Sequence, residues 1–309
     1  MVVAVGQYPI NANEFERRFR CDDDCYEYLA EVRWGQHPVC SRCQSDKLWK
    51  MSRGEFRCGT CDYQFSLTAG TLFHDLKKPI LLWFRAMWHV TEQKHGVSAL
   101  GLQRALGLGS YHTAWTWLHK LRKAMVRPGR DRLSGDIEVD ETFVGGPRPW
   151  KRGRGTAGKE LVLIMAQKNG QRIGRVRLQH ITDASAETLM AAIKEAVEPG
   201  SVVCTDGWGG YSDSALKKAG YKHRVIRTGG DVGDNLLPLV NLVASLFKRW
   251  LLGTHQGGIQ ASYLPAYLNE FTFRFNRRTS GSRGMLFYRL IQHSLEVKPI
   301  TLATLRTKG

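Results

Sequence analysis

Five segments decide the fold: GDIEVDETFVGG (135–146), ELVLIMAQ (160–167), GRVRLQHI (174–181), ASAETLMAAIKEAVE (184–198) and SVVCTDG (201–207). In the first, apolar Ile137 and Val139 alternate with polar neighbours, the period of a half-buried strand. The second and third are strand-like runs on either side of the turn-like KNGQRI (168–173), which predicts a hairpin or meander. In the fourth, Leu189, Ala192, Ile193 and Val197 share a helical face behind Ser185 as cap. The fifth is a short buried strand that ends at Asp206.

Working outward toward the C-terminus, YSDSALKKAG (211–220) reads as a short helix closed by glycine and YKHRVI (221–226) as a strand. LLPLVNLVASLFKRWLL (236–252) reads as a helix entered behind Pro238. The order from Gly135 is β-β-β-α-β-α-β-α. Three antiparallel strands followed by α/β crossovers is the order of a ribonuclease H-like fold. The expectation is therefore a mixed α+β and α/β chain with a ribonuclease H-like mixed-sheet domain over 131–309.

Asp140 lies inside the first strand and Asp206 ends the fifth segment. A carboxylate in a buried strand is costly unless it is paired or bound to metal. Two such strands in one sheet put both carboxylates around a shared cation. Mg²⁺ suits that set, since it takes oxygen ligands and is held by one or two carboxylates plus substrate phosphates. Two ions about 3.5–4 Å apart clamp the attacking and leaving oxygens of a phosphodiester displacement. The competing reading is a pair of strand-end Asp residues capping turns. A third ligand has four candidates, Asn241 first, then Asp231, Asp234 and Glu270. Lys248 follows Asn241 by seven residues, two turns along the same helix face.

Upstream, RPGRDRLSG (127–135) reads as a linker. Before it, PILLWFRAMWHVTEQ (79–93) reads as a helix with Pro in its first turn. SALGLQRAL (98–106), GLGS (107–110) and YHTAWTWLHKLRKAM (111–125) form two helices around a Gly-containing turn. That is the helix-turn-helix pattern, with a plain helical hairpin as the alternative. Tyr111, His112 and Thr113 at the start of the second helix would face the major groove. Lys120, Arg122 and Lys123 would lie nearer the phosphates. Six of the seven cysteines fall between Cys21 and Cys61. Cys40-x2-Cys43 and Cys58-x2-Cys61, 14 residues apart, have the spacing of a zinc ribbon. Four protein ligands leave no open position, so one structural zinc is expected. Cys21 and Cys25 have no second pair and are expected to be ordinary, partly buried residues. The expected division is 1–76 (helix and ribbon), 77–130 (helix-turn-helix) and 131–309.

The 309 residues carry 45 Lys and Arg against 28 Asp and Glu, a net charge of +17. Such an excess on a globular composition points to a polyanion, most often nucleic acid. PRPWKRGRGTAGK (147–159) brings Arg148, Lys151, Arg152, Arg154 and Lys159 with no acid. RFNRRTSGSRG (274–284) adds Arg274, Arg277, Arg278 and Arg283, and Arg249 follows Lys248. These cations are expected to contact DNA phosphates. The alternating Tyr267, Phe271, Phe273 and Phe275 are expected in the core. No run of apolar residues is long enough to span a membrane. Neither is there a secretory signal, so a cytoplasmic, nucleoid-associated setting is expected.

These segments together resemble the ISXO-type insertion-sequence transposases, in which a zinc ribbon precedes a ribonuclease H-like DDE domain. The resemblance is carried by EYLAEVRWGQHPVCSRCQSDKLW (27–49), FRCGTCDYQFSLTAGTLFHDLKKPILLWFRAMW (56–88), GVSALGLQRALGLGSYHTAWTWLHKLRKAM (96–125), GDIEVDETFVGG, VCTDGWGGY (203–211), KRWLLGTHQGG (248–258) and YLNEFTFRFNRR (267–278). It implies strand cleavage at the element's terminal inverted repeats and strand transfer into target DNA, with two Mg²⁺ or Mn²⁺. It implies Asp140 and Asp206 as the two aspartates, Asn241 at the third position, where many DDE enzymes have Glu, and Lys248 as the downstream lysine. DDE transposases work on paired ends, so a homo-oligomer on double-stranded DNA is expected. The rival is a catalytically inactive zinc-ribbon and helix-turn-helix regulator derived from a transposase. A further rival is another nuclease of the same fold.

Overall fold

Periodicity becomes geometry in eleven helices and eight strands among the described residues. The structure, a computed structural model, describes residues 8–35, 37–127, 129–145, 158–227, 236–256 and 259–306. In chain order the elements are α1 (Ala12–Arg18), α2 (Asp22–Trp34), β1 (Leu48–Lys50), β2 (Glu55–Cys58), β3 (Gln64–Ser66), α3 (Ile80–Glu92), α4 (Ala99–Leu106) and α5 (Tyr111–Ala124). Next come β4 (Asp136–Val144), β5 (Glu160–Asn169), β6 (Arg172–Ile181), α6 (Ala186–Ala196), β7 (Val202–Thr205), α7 (Asp213–Lys218) and β8 (Lys222–Val225). The chain ends with α8 (Pro238–His255), α9 (Leu264–Phe275), α10 (Arg283–Glu296) and α11 (Leu302–Arg306). No helix among the described residues is long and apolar enough to cross a membrane.

The chain divides into two compact units, residues 1–127 with 279–309, and residues 128–278. The expected domain running to 309 therefore stops at 278, and the last segment folds with the N-terminal residues. The reason is aromatic packing. Phe287 of α10 lies 5.6 Å from Phe15, 5.9 Å from Phe19, 5.7 Å from Phe84 and 5.7 Å from Trp88, ring centre to ring centre. It is completely buried among α1, α2 and α3. At Gly284 of the same helix a Cβ would sit 1.6 Å from the Pro9 carbonyl oxygen, so no side chain fits there.

In the same unit, β1, β2 and β3 form an antiparallel sheet. Trp34 of α2 meets Phe56 and Phe65 edge-on at 5.1 and 5.9 Å, seating the sheet on the helix. The four sulfurs of Cys40, Cys43, Cys58 and Cys61 lie within 4.8 Å of one another, with Cys40–Cys61 at 3.7 Å and Cys43–Cys58 at 3.5 Å. Zinc–sulfur bonds of about 2.3 Å in a tetrahedron give sulfur–sulfur edges of about 3.8 Å. Arg42 N–H and Thr60 N–H each point at a sulfur, Cys40 and Cys58 respectively, at 3.4 Å. Such donors favour thiolate. The donor set fits one structural zinc. Helices α4 and α5 join through residues 107–110. Ser98 Oγ accepts the Gly101 N–H, and Gly107 takes the left-handed conformation at φ 61 that ends α4.

In the second unit the strand order is β6-β5-β4-β7-β8. β4–β5 and β5–β6 are antiparallel, whereas β4–β7 and β7–β8 are parallel. This is the ribonuclease H-like arrangement. Ile137 and Val139 pack into a core with Leu189, Ala192 and Ile193 of α6. Val144, on the opposite face, joins a core with Val243, Phe247 and Leu251 of α8 and Leu268 and Phe271 of α9. The alternating aromatics at 267–275 lie on α9, with Phe271, Phe273 and Phe275 buried as expected. Their alternation is not that of a strand, because both flanks of this helix are covered.

Two outcomes check this description. Phe287→Ala leaves a cavity at the aromatic junction and lowers the stability of the first unit by about 3–5 kcal/mol, read by thermal or denaturant unfolding. Cys43→Ser reduces bound zinc, measured by elemental analysis, from one per chain to a small fraction, and the ribbon loses protection from proteolysis.

Candidate active site

The pairing of β4 with β7 sets Asp136 beside Val202, Ile137 beside Val203 and Glu138 beside Cys204. Two residues beyond the last pair, Asp140 on β4 and Asp206 just past the end of β7 stand at the same level, and the charge of Asp206 acts on Asp140. Both are even-numbered on their strands and face the α8 side of the sheet, while Ile137, Val139 and Val203 face α6. Asp140 is half-buried, and burial first, then the charges of Glu141 and Asp206, push its carboxyl from the usual 3.8 up to about 6. Carboxylate and amide oxygens are the donors a hard divalent ion takes.

Glu138 shares this face, and its Oε2 accepts the Leu239 and Val240 N–H groups at 2.8 and 3.1 Å. These are orphan donors at the start of α8, where the cap residue Leu237 offers no side-chain bond. A carboxylate on β4 thus pins the N-terminus of α8 two residues from Asp140. Asn241 lies in the first turn of that helix and is exposed. Farther along α8, Lys248, Leu251 and Leu252 line a cavity of about 290 Å³ together with Val144 and Gly145 at the end of β4. Helix and strand therefore run in the same direction, and Lys248 stands at the far end of the strand that carries Asp140. Burial, then the charge of Lys159, lowers the Lys248 pKa.

The loop after β7 is fixed to the same strand. Tyr211 donates its hydroxyl to Glu141 Oε2 at 2.6 Å. Burial, with the neighbouring acidic charges, pushes the Tyr211 pKa far up, so it stays a donor. Asp206 Oδ1 accepts the Trp208 N–H at 2.9 Å, and Trp208 is exposed. Glu138, Glu141 and Tyr211 were not singled out in the sequence. The one signal for Glu138 is its shared face with Asp140; Tyr211 gave none.

Asp231 and Asp234 lie outside the described residues. Glu270 is 1% exposed and paired with Arg274 at 3.0 Å, so it points into the core of α9 and does not serve as a third ligand. That pair also corrects the expectation of a DNA contact at Arg274, which is buried to satisfy Glu270. Arg278 donates to the carbonyls of Ile173, Gly174 and Phe275 and lies over the Phe275 ring at 4.1 Å. Arg277 lies over Phe273 at 4.1 Å and donates to its carbonyl. Asn276, whose amide brackets the Val176 N–H and C=O at 2.7 and 3.0 Å, and Arg278 occupy the edge of β6. An open strand edge needs such partners, so Arg278 acts first as a sheet closer, whereas Arg277 bonds back to α9.

Of the remaining cations, Arg148, Lys151, Arg152 and Arg154 lie outside the described residues. Lys159 and Arg249 are exposed. Tyr111 and His112 are exposed at the start of α5 and Thr113 is half-buried. Lys120 is half-buried against the Trp83 ring at 6.0 Å. Arg122, expected near phosphates, is 2% exposed and belongs to the core.

The raised carboxyl of Asp140 has a stability consequence. Between pH 4 and 6 the folded chain holds this proton more tightly than the unfolded chain, so its contribution to stability falls as pH rises through that window. The difference from 3.8 to about 6 is worth about 3 kcal/mol, cut by solvent screening of a half-buried group to about 1–2 kcal/mol. Without metal at pH 7, Asp140→Asn stabilises the chain by that amount. At pH 4 the gain disappears. Thermal unfolding at both pH values checks this, and an equal effect at both contradicts the electrostatic cause.

Comparison with known proteins gives two family matches. Residues 132–276 match the ISXO2-like transposase domain, and residues 20–64 match the transposase zinc-ribbon domain. No curated protein matches. Among solved structures the chain aligns with the cryo-electron-microscopy structure of the simian T-cell lymphotropic virus intasome in complex with PP2A regulatory subunit B56 gamma. The identity is 15% and the TM-score 0.30, over 53% of this chain and 63% of that one, a likeness too slight to inform fold or function. The two matches fall in order along the chain, so it carries a transposase zinc-ribbon domain followed by an ISXO2-like transposase domain.

Proposed function

We propose that the chain cuts DNA at the ends of its own insertion sequence and joins those ends to target DNA. One observation carries the reading: β4 and β7 bring Asp140 and Asp206 side by side on the face where α8, with Asn241 and Lys248, is pinned. Asp140, Asp206 and Asn241 would hold two Mg²⁺ or Mn²⁺. When bound, the ions supply a lowered water pKa and charge neutralisation at the phosphate. Lys248 binds a phosphate oxygen as a point charge. Glu138 keeps the start of α8, and with it Asn241, near Asp140, while Lys248 stands farther along β4. Hydrolysis of the phosphodiester leaves a 3′-hydroxyl on the element. Attack of that hydroxyl on a target phosphodiester makes one P–O bond and breaks another, so no covalent enzyme intermediate is needed. Exposed Tyr111 and His112 at the start of α5 supply base contacts, and Lys159 and Arg249 supply phosphate contacts. The active protein is an oligomer on paired DNA ends.

The regulator reading is favoured by Asn241, a neutral amide where a carboxylate would add a negative charge. A cleavage assay separates the two. Labelled duplex carrying the element's terminal repeats is incubated with the protein and Mg²⁺ or Mn²⁺, then run on a denaturing gel. Nicks at the repeat ends that vanish in Asp140→Ala are expected. Binding without nicks under either ion supports the regulator. Asn241→Glu, which restores the charge, lowers the Mg²⁺ concentration for half-maximal cleavage by about tenfold.

A further inference from the structure

Behind Asp206 runs a row of hydrogen bonds that makes no contact with the carboxylate itself. Asp213 Oδ1 lies 3.1 Å from His223 Nδ1, and His223 Nε2 lies 3.0 Å from Thr205 Oγ1. Thr205 Oγ1 also accepts the Gly207 N–H at 3.2 Å. The row therefore ends on the two residues that flank Asp206. It is buried where it matters, since the His223 side chain is 1% exposed and Thr205 is 0% exposed.

With ionised Asp213 and a neutral imidazole the donors and acceptors admit one arrangement. The carboxylate accepts only, so His223 Nδ1 carries the proton. Thr205 Oγ1, already accepting from Gly207, donates its own proton to the bare Nε2. His223 and Thr205 each donate once and accept once, which orients the imidazole. Lys217, at 2.8 Å from Asp213 Oδ2, keeps that carboxylate ionised, and Lys217 and His223 hold its pKa below the usual value.

The turn itself admits no slack. Gly207 has φ +84, and a Cβ there would lie 2.5 Å from Val225 Cγ1 of β8. At the far end of the loop a Cβ on Gly210 would lie 2.4 Å from the Ala184 carbonyl oxygen, and Tyr211 is tied to Glu141. The loop is thus held at both ends by groups besides the Asp206 carboxylate, which accepts the Trp208 N–H through Oδ1 and remains exposed.

We infer that Asp213, His223 and Thr205 form a positioning relay that fixes the backbone on both sides of Asp206 and so presents its carboxylate to a divalent cation. The inference rests on the proposed role of Asp206 as a metal ligand. His223 is a positioning residue that acts through Thr205 and Gly207. Partners of this kind around a metal ligand carry about 10–100-fold in metal affinity.

The test is calorimetric titration of Mn²⁺ into the full-length, DNA-free protein, with thermal unfolding of each variant alongside. Thr205→Val removes the hydroxyl and keeps the shape, and weakens Mn²⁺ binding about tenfold; Thr205→Ser keeps the hydroxyl and stays within about twofold of the parent chain. Asp213 is more than half exposed, so Asp213→Ala remains folded and provides a second variant if Thr205→Val does not fold. It weakens binding in the same direction. Unchanged affinity in Thr205→Val or Asp213→Ala overturns the relay, as does a loss in Thr205→Ser equal to that in Thr205→Val. Asp206→Ala is the separate control. If it leaves Mn²⁺ binding unchanged, the metal-ligand role fails first, and the relay falls with it.

Discussion

The parallel register of β4 against β7 is the constraint on which the candidate site depends. Parallel strands pair evenly, and the side chains of neighbouring strands point the same way at the same level. Asp140 is interior to one strand and Asp206 follows the end of the other, yet they meet on one face because Glu138 pairs with Cys204. A slip of one residue would turn one carboxylate into the α6 core. The hydrophobic faces of the sheet forbid that slip, since Val139 and Val203 are fully buried on the α6 side. The core therefore sets which face of the sheet each carboxylate takes.

Around this pair, carboxylates that are not ligands do positioning work. Glu138 gives α8 the N-terminal partner its own sequence lacks, and Glu141 holds Tyr211. Three acidic residues at 138, 140 and 141 thus have three different fates, decided by the strand's two faces. The even positions face α8; the odd one reaches the loop after β7.

Positive charge is likewise not one thing. The net +17 includes Arg122 and Arg274 in the core, and Arg278 on the edge of β6. Long basic side chains with planar donors satisfy buried carboxylates and orphan carbonyls as readily as they meet phosphates. What remains for DNA on the described surface is smaller and better defined: the start of α5, Lys159, and the Lys248–Arg249 pair on α8. The zinc ribbon and the aromatic junction at Phe287 play the corresponding structural part in the first unit. The metal replaces a core that three short strands cannot build.

The sequence by itself determined the elements and the ligand chemistry. Strand alternation at Ile137 and Val139, the Ser185 and Ser98 caps, Pro238 and the paired C-x-x-C turns are local signals, written within one or two turns of chain. Asp140 and Asp206 were legible because acids in apolar strands violate the pattern around them. Tertiary structure alone decided which residues meet. That α10 returns to the first unit, that Glu138 pins α8, and that His223 reaches Thr205 all join residues on separate elements. Such partners leave no period or spacing in the sequence. Their choice follows from packing and from the need to satisfy buried donors and acceptors, and those become definite only when the sheet has formed.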